Sequence, residues 1–507
     1  MNTKKTALII LDGYGIPKDY KKSGIIEENT INFRNYENLF PHTTIRASEE
    51  YVGLPKGQAG TSEVGHMTIG SGRVSYQPLV RINKAIEDKS FFKNKELVDS
   101  INYAKKNNKS IHLIGLPSDG GIHSHISHLF ALLDMCKMYN FENVFVHFVG
   151  DGRDTNPKSI KIYLSQVEDY IKKVDCGQIA SIVGRFYAFD RDKNWTRNQL
   201  AYELWVDGKG EKFKDYNLAI DNAYAKGETD EFIKPICLVN DDNNPIGLIN
   251  KGDVVISYNF RADRERQLAY IMAEDNDLDF VQDLDLYFVT MTEYDEHFKN
   301  VHVAFKPQAM EQILSEVLSN NEIKQVKIAE TEKYAHLTFF FNSGKQDTFK
   351  DEDRILINSQ KMASYATFPQ MSAKEIADKA IEVADKYDFI AINFANCDMV
   401  GHSGDKDATR KAVKVVDDNL KRVVDKILSL GGQGIVTADH GNADIMEYDD
   451  GTPNTSHTTS LVPLFVFGVD KNVKLRESGS LADVAPTLLQ MMGIDKPKEM
   501  TGESLII

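Results

Sequence analysis

Several short segments pair carboxylates with imidazoles in the manner that holds a divalent cation. Asp398 and His402 stand four residues apart after an apolar run, and Asp439 and His440 follow a second run. His457 lies in the loop before a third, and Asp12 ends the run at 7–11. Hard oxygen and borderline nitrogen donors suit Zn, Mn or Mg. Taken singly, each residue reads as a capping Asp or a hydrogen-bonded core His; clustered Asp and His with ligand spacing point to a metal site. The segment GQAGTSEVGH, 57–66, is a glycine-rich turn entering a helix. Ser62 there reads as an N-cap, and equally as a nucleophile, because a helix N-terminus offers unpaired N–H groups and positive potential to a phosphate. A serine hydroxyl needs an activator, and no general base stands beside Ser62 in sequence, so a metal is the simpler one. Two cations would bind a phosphoryl group between them and lower the pKa of the attacking hydroxyl.

A second group of residues is basic. The chain has 507 residues and a formal net charge of −15, which argues against a general binder of nucleic acid or anionic membrane. Yet seven of its 15 arginines fall between Arg153 and Arg266. The segments SDGGIHSH (118–125), DGRD (151–154), GR with DRD (184–192) and NFRADR (259–264) each follow an apolar run. Arginine matches carboxylate and phosphate oxygens bidentately, so this concentration predicts a small, multiply anionic ligand. Ion pairing with neighbouring Asp is the plainer reading, apt for Arg197 and Arg266 in helix-like segments, less so for Arg153, Arg185, Arg191, Arg261 and Arg264. His123 is expected to touch the ligand and His125 to be structural.

The elements that must position these residues recur as apolar run, polar loop and amphipathic stretch, the pattern of α/β units with mostly parallel sheets. Strands are expected at 7–11, 111–116, 144–149, 179–183, 254–258, 326–329, 389–394, 435–438 and 461–467. In such sheets ligands meet the carboxyl ends of the strands. The clearest helix spans 408–430, with Val413, Val416, Leu420, Val423 and Ile427 on one face and Gly431 and Gly432 closing it. If Asp12 and Ser62 are to meet residues 398–457, the two chain ends form one domain, 1–76 with 308–507, and 77–307 is an insertion. The Pro-bearing junctions Gln77-Pro78 and Lys306-Pro307 mark its limits and predict a hinge. The run at 7–11 is too short for a signal segment, and four scattered cysteines make no disulfide framework, so a cytoplasmic protein is expected.

The motifs LIILDGYG, GQAGTSEVGHMTIGSGR, SDGGIHSH, DGRDT, GRFYAFDRDKNW, NFRADRERQ, ETEKYAHLTFFFN, DMVGHSG, ADHGNAD and HTTSLVP, in this order over nearly the whole chain, resemble those of the cofactor-independent phosphoglycerate mutases of the alkaline phosphatase superfamily. The resemblance implies a phosphatase-like α/β domain carrying an inserted α/β transferase domain. It implies conversion of 3-phosphoglycerate to 2-phosphoglycerate through a phosphoserine at Ser62, with no bisphosphoglycerate cofactor. One divalent ion would be held by Asp398, His402 and His457, a second by Asp12, Ser62, Asp439 and His440, Mn2+ first and Mg2+ second. Substrate would be held by His123, Arg153, Asp154, Arg185, Arg191, Arg261, Arg264 and Lys333, with Asp154 a candidate acid or base for the glycerate hydroxyls. A monomer with a small-molecule substrate and no nucleic-acid or membrane partner is implied. Two positions depart from the family pattern: Cys397 where Pro is expected, and Phe189 where Met is common. Cys397 reads as a packing residue, with oxidation sensitivity as an accompanying expectation. A phosphatase or phosphodiesterase of the same superfamily, and a non-catalytic metal-binding protein, remain the alternative classes.

Overall fold

The computed structural model describes residues 4–308 and 310–507. The chain divides into two compact units, Met1–Gln77 with Gln308–Ile507, and Pro78–Pro307. Each is an α/β unit built on one eight-stranded, mostly parallel sheet, which is the expected fold class.

In the first unit the strand order is Glu352–Ile357, Gln325–Glu330, Phe389–Phe394, Thr6–Leu11, Gln433–Thr437, Val462–Phe467, His42–Arg46, Ser478–Ser480. The first five run parallel, and Val462–Phe467 is antiparallel to both neighbours. Thr6–Leu11 reads TALIIL and is buried throughout, as a central parallel strand covered on both faces must be. Helix Lys406–Ser429 starts at Asp405, whose carboxylate accepts from the Ala408 amide at 2.9 Å. Its buried stripe contains Val413, Val416, Leu420, Val423 and Ile427, each burial contributing about 1.5–3 kcal/mol against solvent exposure.

In the second unit the order is Val301–Phe305, Tyr287–Thr292, Val254–Ser257, Ile111–Gly115, Val144–Gly150, Gln178–Gly184, Ile236–Leu238, Glu211–Phe213. Only the Gln178–Gly184 to Ile236–Leu238 pairing is antiparallel.

All nine expected strands fall on strands of the structure. Seven others among the described residues were not anticipated. His42–Arg46, Glu211–Phe213 and Ser478–Ser480 are short and polar and lie towards sheet edges, and Glu352–Ile357 is itself an edge strand. Such strands owe their conformation to the neighbour they pair with rather than to their own composition. Tyr287–Thr292 has a buried-strand composition, but it follows an acidic stretch that hides its start.

Candidate active site

Four adjacent parallel strands of the first unit end beside one another and deliver the charged groups. Gln325–Glu330 leads to Lys333, Phe389–Phe394 to Asp398, Thr6–Leu11 to Asp12, and Gln433–Thr437 to Asp439 and His440. Lys333, Asp12, Asp398, Asp439 and His440 are all buried.

Ser62 comes from the helix Ser62–Ser71, and of its two readings the capping one does not hold. Thr61 is the N-cap, its hydroxyl accepting from the Val64 amide, so Ser62 is the first helical residue and its hydroxyl is free for other partners. Ser62 Oγ lies 3.2 Å from Asp12 Oδ1 and 2.9 Å from His440 Nε2, and it accepts from Lys333 Nζ at 2.6 Å. Lys333 also donates to Asp12 Oδ1 at 2.7 Å and to Asp398 Oδ2 at 2.5 Å. Sequence reasoning grouped this lysine with the arginines as a substrate contact; the structure places its ammonium among the carboxylates at the serine.

The imidazoles are pre-oriented. His402 Nδ1 lies 2.8 Å from the Thr455 carbonyl and His457 Nδ1 2.8 Å from the Gly60 carbonyl, so each donates there and turns its Nε2 towards Asp398. Those Nε2 atoms stand 3.2 and 3.0 Å from Asp398 Oδ1 and 3.0 Å from each other. Two imidazole nitrogens and a carboxylate oxygen converging at that distance are a donor set that suits a cation. His440 Nε2 lies 3.5 Å from both Asp12 and Asp439, and both carboxylates are fully buried. Among the described residues, Asp398, His440 and His457 form one candidate ligand group and Asp12, His66 and Asp439 another, each with ligand atoms within 4.8 Å. The donor set therefore fits divalent metal.

Two residues of the site, His66 and Asn393, were missed by sequence reasoning. His66 Nδ1 is 2.8 Å from the Ser62 carbonyl and 3.2 Å from Asp439 Oδ2. Asn393 Nδ2 donates to Asp12 Oδ2 at 2.8 Å and lies 3.0 Å from His66 Nε2. His66 sits one helical turn after Ser62, a spacing that was readable; nothing along the chain marks Asn393, inside an apolar strand.

Burial, then the Asp439 carboxylate, raise Asp12. Burial alone would raise Asp398, but Lys333, His402 and His457 hold it well below the usual carboxylate range. Asp439 is held low against its burial by His440, His66 and Lys333. Burial works against the Lys333 charge, and the three carboxylates overcome it and raise the ammonium. Cys397 is fully buried and burial raises its thiol, an environment that disfavours the reactive thiolate and does not fit oxidation sensitivity.

The second unit uses four neighbouring strand ends in the same way: Arg261 and Arg264 follow Val254–Ser257, His123 follows Ile111–Gly115, Arg153 follows Val144–Gly150 and Arg185 follows Gln178–Gly184. Arg185 is 1 % exposed and its Nη1 donates to Asp151 Oδ1 at 2.6 Å and Asp154 Oδ2 at 2.7 Å, while its Nε and Nη2 are buried without acceptors. His123 Nε2 lies 3.7 Å from Asp154 and its Nδ1 3.7 Å from Asp263. Burial, then Arg185, push His123 down to about 4, so it is neutral at physiological pH. Arg191 and Arg261 both pair with Asp263, at 3.3 and 3.2 Å, and Arg264 donates to the Phe189 carbonyl. Burial and the guanidinium groups of Arg185, Arg191 and Arg153 lower Arg264, a concentration of positive charge that an anion would relieve. Arg153 pairs with Glu231 at 2.7 Å, a partner not anticipated. Arg197 pairs with Asp190, the ion pairing expected of it, whereas Arg266 donates to the Tyr294 carbonyl rather than to an Asp. His125 accepts from the Ser127 amide at the start of helix Ile126–Met138.

Comparison with known proteins is consistent along the whole chain. The family described as "BPG-independent PGAM N-terminus" matches residues 82–296, and "Type I phosphodiesterase / nucleotide pyrophosphatase" matches 255–486. The 2,3-bisphosphoglycerate-independent phosphoglycerate mutases of Clostridium acetobutylicum and Clostridioides difficile are each 47% identical to this chain, over 509 and 511 residues, covering 100% of both partners. A crystal structure of Leishmania mexicana phosphoglycerate mutase at low cobalt concentration superposes with a TM-score of 0.54 at 28% identity, covering 100% of this chain and 98% of the other.

Proposed function

The chain belongs to the 2,3-bisphosphoglycerate-independent phosphoglycerate mutases, enzymes with an alkaline-phosphatase-like fold, and from that membership we propose that it interconverts 3-phosphoglycerate and 2-phosphoglycerate through a phosphoserine at Ser62. The observation that carries this reading is the position of Ser62 Oγ, at a helix N-terminus and 2.6 Å from the Lys333 ammonium.

Ser62 Oγ attacks phosphorus and the bond from phosphorus to the C3 oxygen breaks, leaving the phosphoryl group on the serine. The C2 oxygen then attacks the same phosphorus and the bond to Ser62 Oγ breaks, restoring the hydroxyl. Two divalent ions, held by Asp398, His402 and His457 and by Asp12, Ser62, Asp439 and His440, would supply charge neutralisation and a lowered pKa for the serine hydroxyl. The Lys333 ammonium stabilises negative charge on the Ser62 oxygen and on the phosphoryl group it carries. The helix N-terminus adds unpaired N–H groups for the same oxygens. Arg153, Arg185, Arg191, Arg261 and Arg264, with His123, hold the glycerate carboxylate and phosphate, and Asp154 exchanges the proton that the C2 and C3 hydroxyls gain and lose. Mn2+ is the expected ion, Mg2+ the second, in a cytoplasmic monomer acting on small molecules; no helix among the described residues is long and apolar enough to cross a membrane.

The test is turnover of 3-phosphoglycerate without added bisphosphoglycerate. Formation of 2-phosphoglycerate by the native chain, and its loss in Ser62→Ala with fold retained, support the reading. Steady release of inorganic phosphate instead would make the chain a hydrolase, and full activity in Ser62→Ala would eliminate the phosphoserine.

A further inference from the structure

Beneath the turn that carries Arg261 and Arg264 lies a carboxyl group the mechanism does not use. Glu265 follows the 3-10 turn Ala262–Arg264 and precedes the helix Arg266–Ala273, and its side chain is 0 % exposed. Its Oε1 accepts from Asn259 Nδ2 at 2.5 Å, and its Oε2 lies 3.0 Å from Ser257 Oγ. Ser257 Oγ in turn lies 3.0 Å from the Tyr294 hydroxyl, and that hydroxyl donates to the Asn259 carbonyl at 2.5 Å. Asn259 Oδ1 accepts from the Leu116 amide at 3.0 Å, which ties the end of Val254–Ser257 to the end of Ile111–Gly115.

Counting protons decides the state of the carboxyl. Three oxygen-to-oxygen contacts run in series from Glu265 through Ser257 and Tyr294 to the Asn259 carbonyl, and serine and tyrosine bring one proton each. An ionised Glu265 leaves one of the three contacts without a hydrogen, a buried lone-pair opposition that costs about 1–3 kcal/mol. A protonated Glu265 fills all three in one direction: Glu265 donates to Ser257, Ser257 to Tyr294, and Tyr294 to Asn259. We propose that Glu265 is a positioning residue for phosphoglycerate binding, a neutral acid that locks residues 259–264 through this one-way chain and so fixes the guanidinium groups of Arg261 and Arg264. Burial, opposed by the bonds from Asn259 and Ser257, raises Glu265 to about 7, in the same sense. The other charged or titratable groups facing it are Arg185, which opposes the proton, Asp263, which favours it, and the hydroxyls of Tyr258 and Tyr294.

This inference rests on the reading that Arg261 and Arg264 hold the substrate, and the experiment separates the two. The KM and kcat for 3-phosphoglycerate are measured at neutral pH and at about pH 8.5 for the native chain, Glu265→Gln, Glu265→Ala, Tyr294→Phe and Arg264→Ala. Glutamine reproduces the neutral acid, with an amide nitrogen donating to Ser257 and an oxygen accepting from Asn259. It is expected to keep KM within about two-fold of native at neutral pH and to remove the native rise in KM on the alkaline side. Glu265→Ala and Tyr294→Phe are expected to raise KM about five-fold or more with kcat within about two-fold. Unchanged KM in Tyr294→Phe, or a Gln variant as impaired as the Ala variant, overturns the proposal. If Arg264→Ala also leaves KM unchanged, the assignment of the arginine site falls instead.

Discussion

The Lys333 ammonium donates to Ser62 Oγ at 2.6 Å while also bonding to Asp12 and Asp398, so one buried cation ties the candidate nucleophile to carboxylates from two different strand ends. A charge placed there counts most when negative charge grows on the serine oxygen or on its phosphoryl group. Lys333→Met keeps the length and apolar stem and removes the charge. We expect kcat to fall by about 100-fold or more with the thermal unfolding temperature little changed. A variant with native kcat would show that the ammonium is only a structural counter-ion.

Gly65 predicts a second outcome. A Cβ built on it would stand 2.6 Å from the Asp439 carbonyl oxygen and 2.9 Å from the Asp439 Cβ, contacts that backbone cannot yield to without moving. The helix bearing Ser62 thus approaches the Asp439 loop as closely as it does because position 65 has no side chain. Gly65→Ala should separate Ser62 from His440 and Asp439, lowering kcat at least about ten-fold in a folded protein. Circular dichroism would verify the fold and single-turnover kinetics the loss; native turnover would contradict the tight approach.

Metal content offers a third. His402 and His457 converge on Asp398 Oδ1, so Asp398→Asn removes the charge around which that ligand group is arranged. Elemental analysis of the purified variant should show one divalent ion fewer than the native chain, and chelation should abolish native turnover until Mn2+ or Mg2+ is restored. Equal metal content in both proteins would rule out Asp398 as a ligand.

Acid sensitivity of the second unit is the fourth. His128 is buried against Asn83, and burial pushes it from its ordinary 6.5 down to about 3. The unfolded chain takes up a proton there as pH falls through about 6.5, and the folded chain does not until near 3. Its contribution is therefore fully present above about pH 6.5 and is lost progressively as pH falls towards 3. His112 and His147, which share a buried hydrogen bond, are lowered by the same cause. In scanning calorimetry between neutral pH and about pH 4.5, His128→Gln should lose stability less steeply than the native chain, by up to one proton's slope, about 1.4 kcal/mol per pH unit. Parallel curves would remove His128 from the acid response.

Much of this was readable along the chain because parallel α/β sheets write their chemistry in one dimension. Asp12, Asp398, Asp439 and His440 each follow an apolar run, and the arginine segments do the same in the middle of the chain. Periodicity also marked the buried face of Lys406–Ser429. Short edge strands such as Ser478–Ser480 left no trace, since pairing rather than composition makes them strands.

Which strand ends become neighbours is a matter of sheet order, and no local pattern carries it. The order Gln325–Glu330, Phe389–Phe394, Thr6–Leu11, Gln433–Thr437 is what brings Lys333 to Ser62 rather than leaving it among the arginines. Likewise Asn393 and Glu265 acquire their roles only from what lies across the fold: Asp12 and His66 for one, Ser257 and Asn259 for the other. The sequence by itself determined the donor types, their place at strand ends and the α/β class, because these follow from side-chain chemistry and local periodicity. Tertiary structure decided which donors face one another and which buried groups keep their protons, because both depend on distance and desolvation between residues hundreds of positions apart.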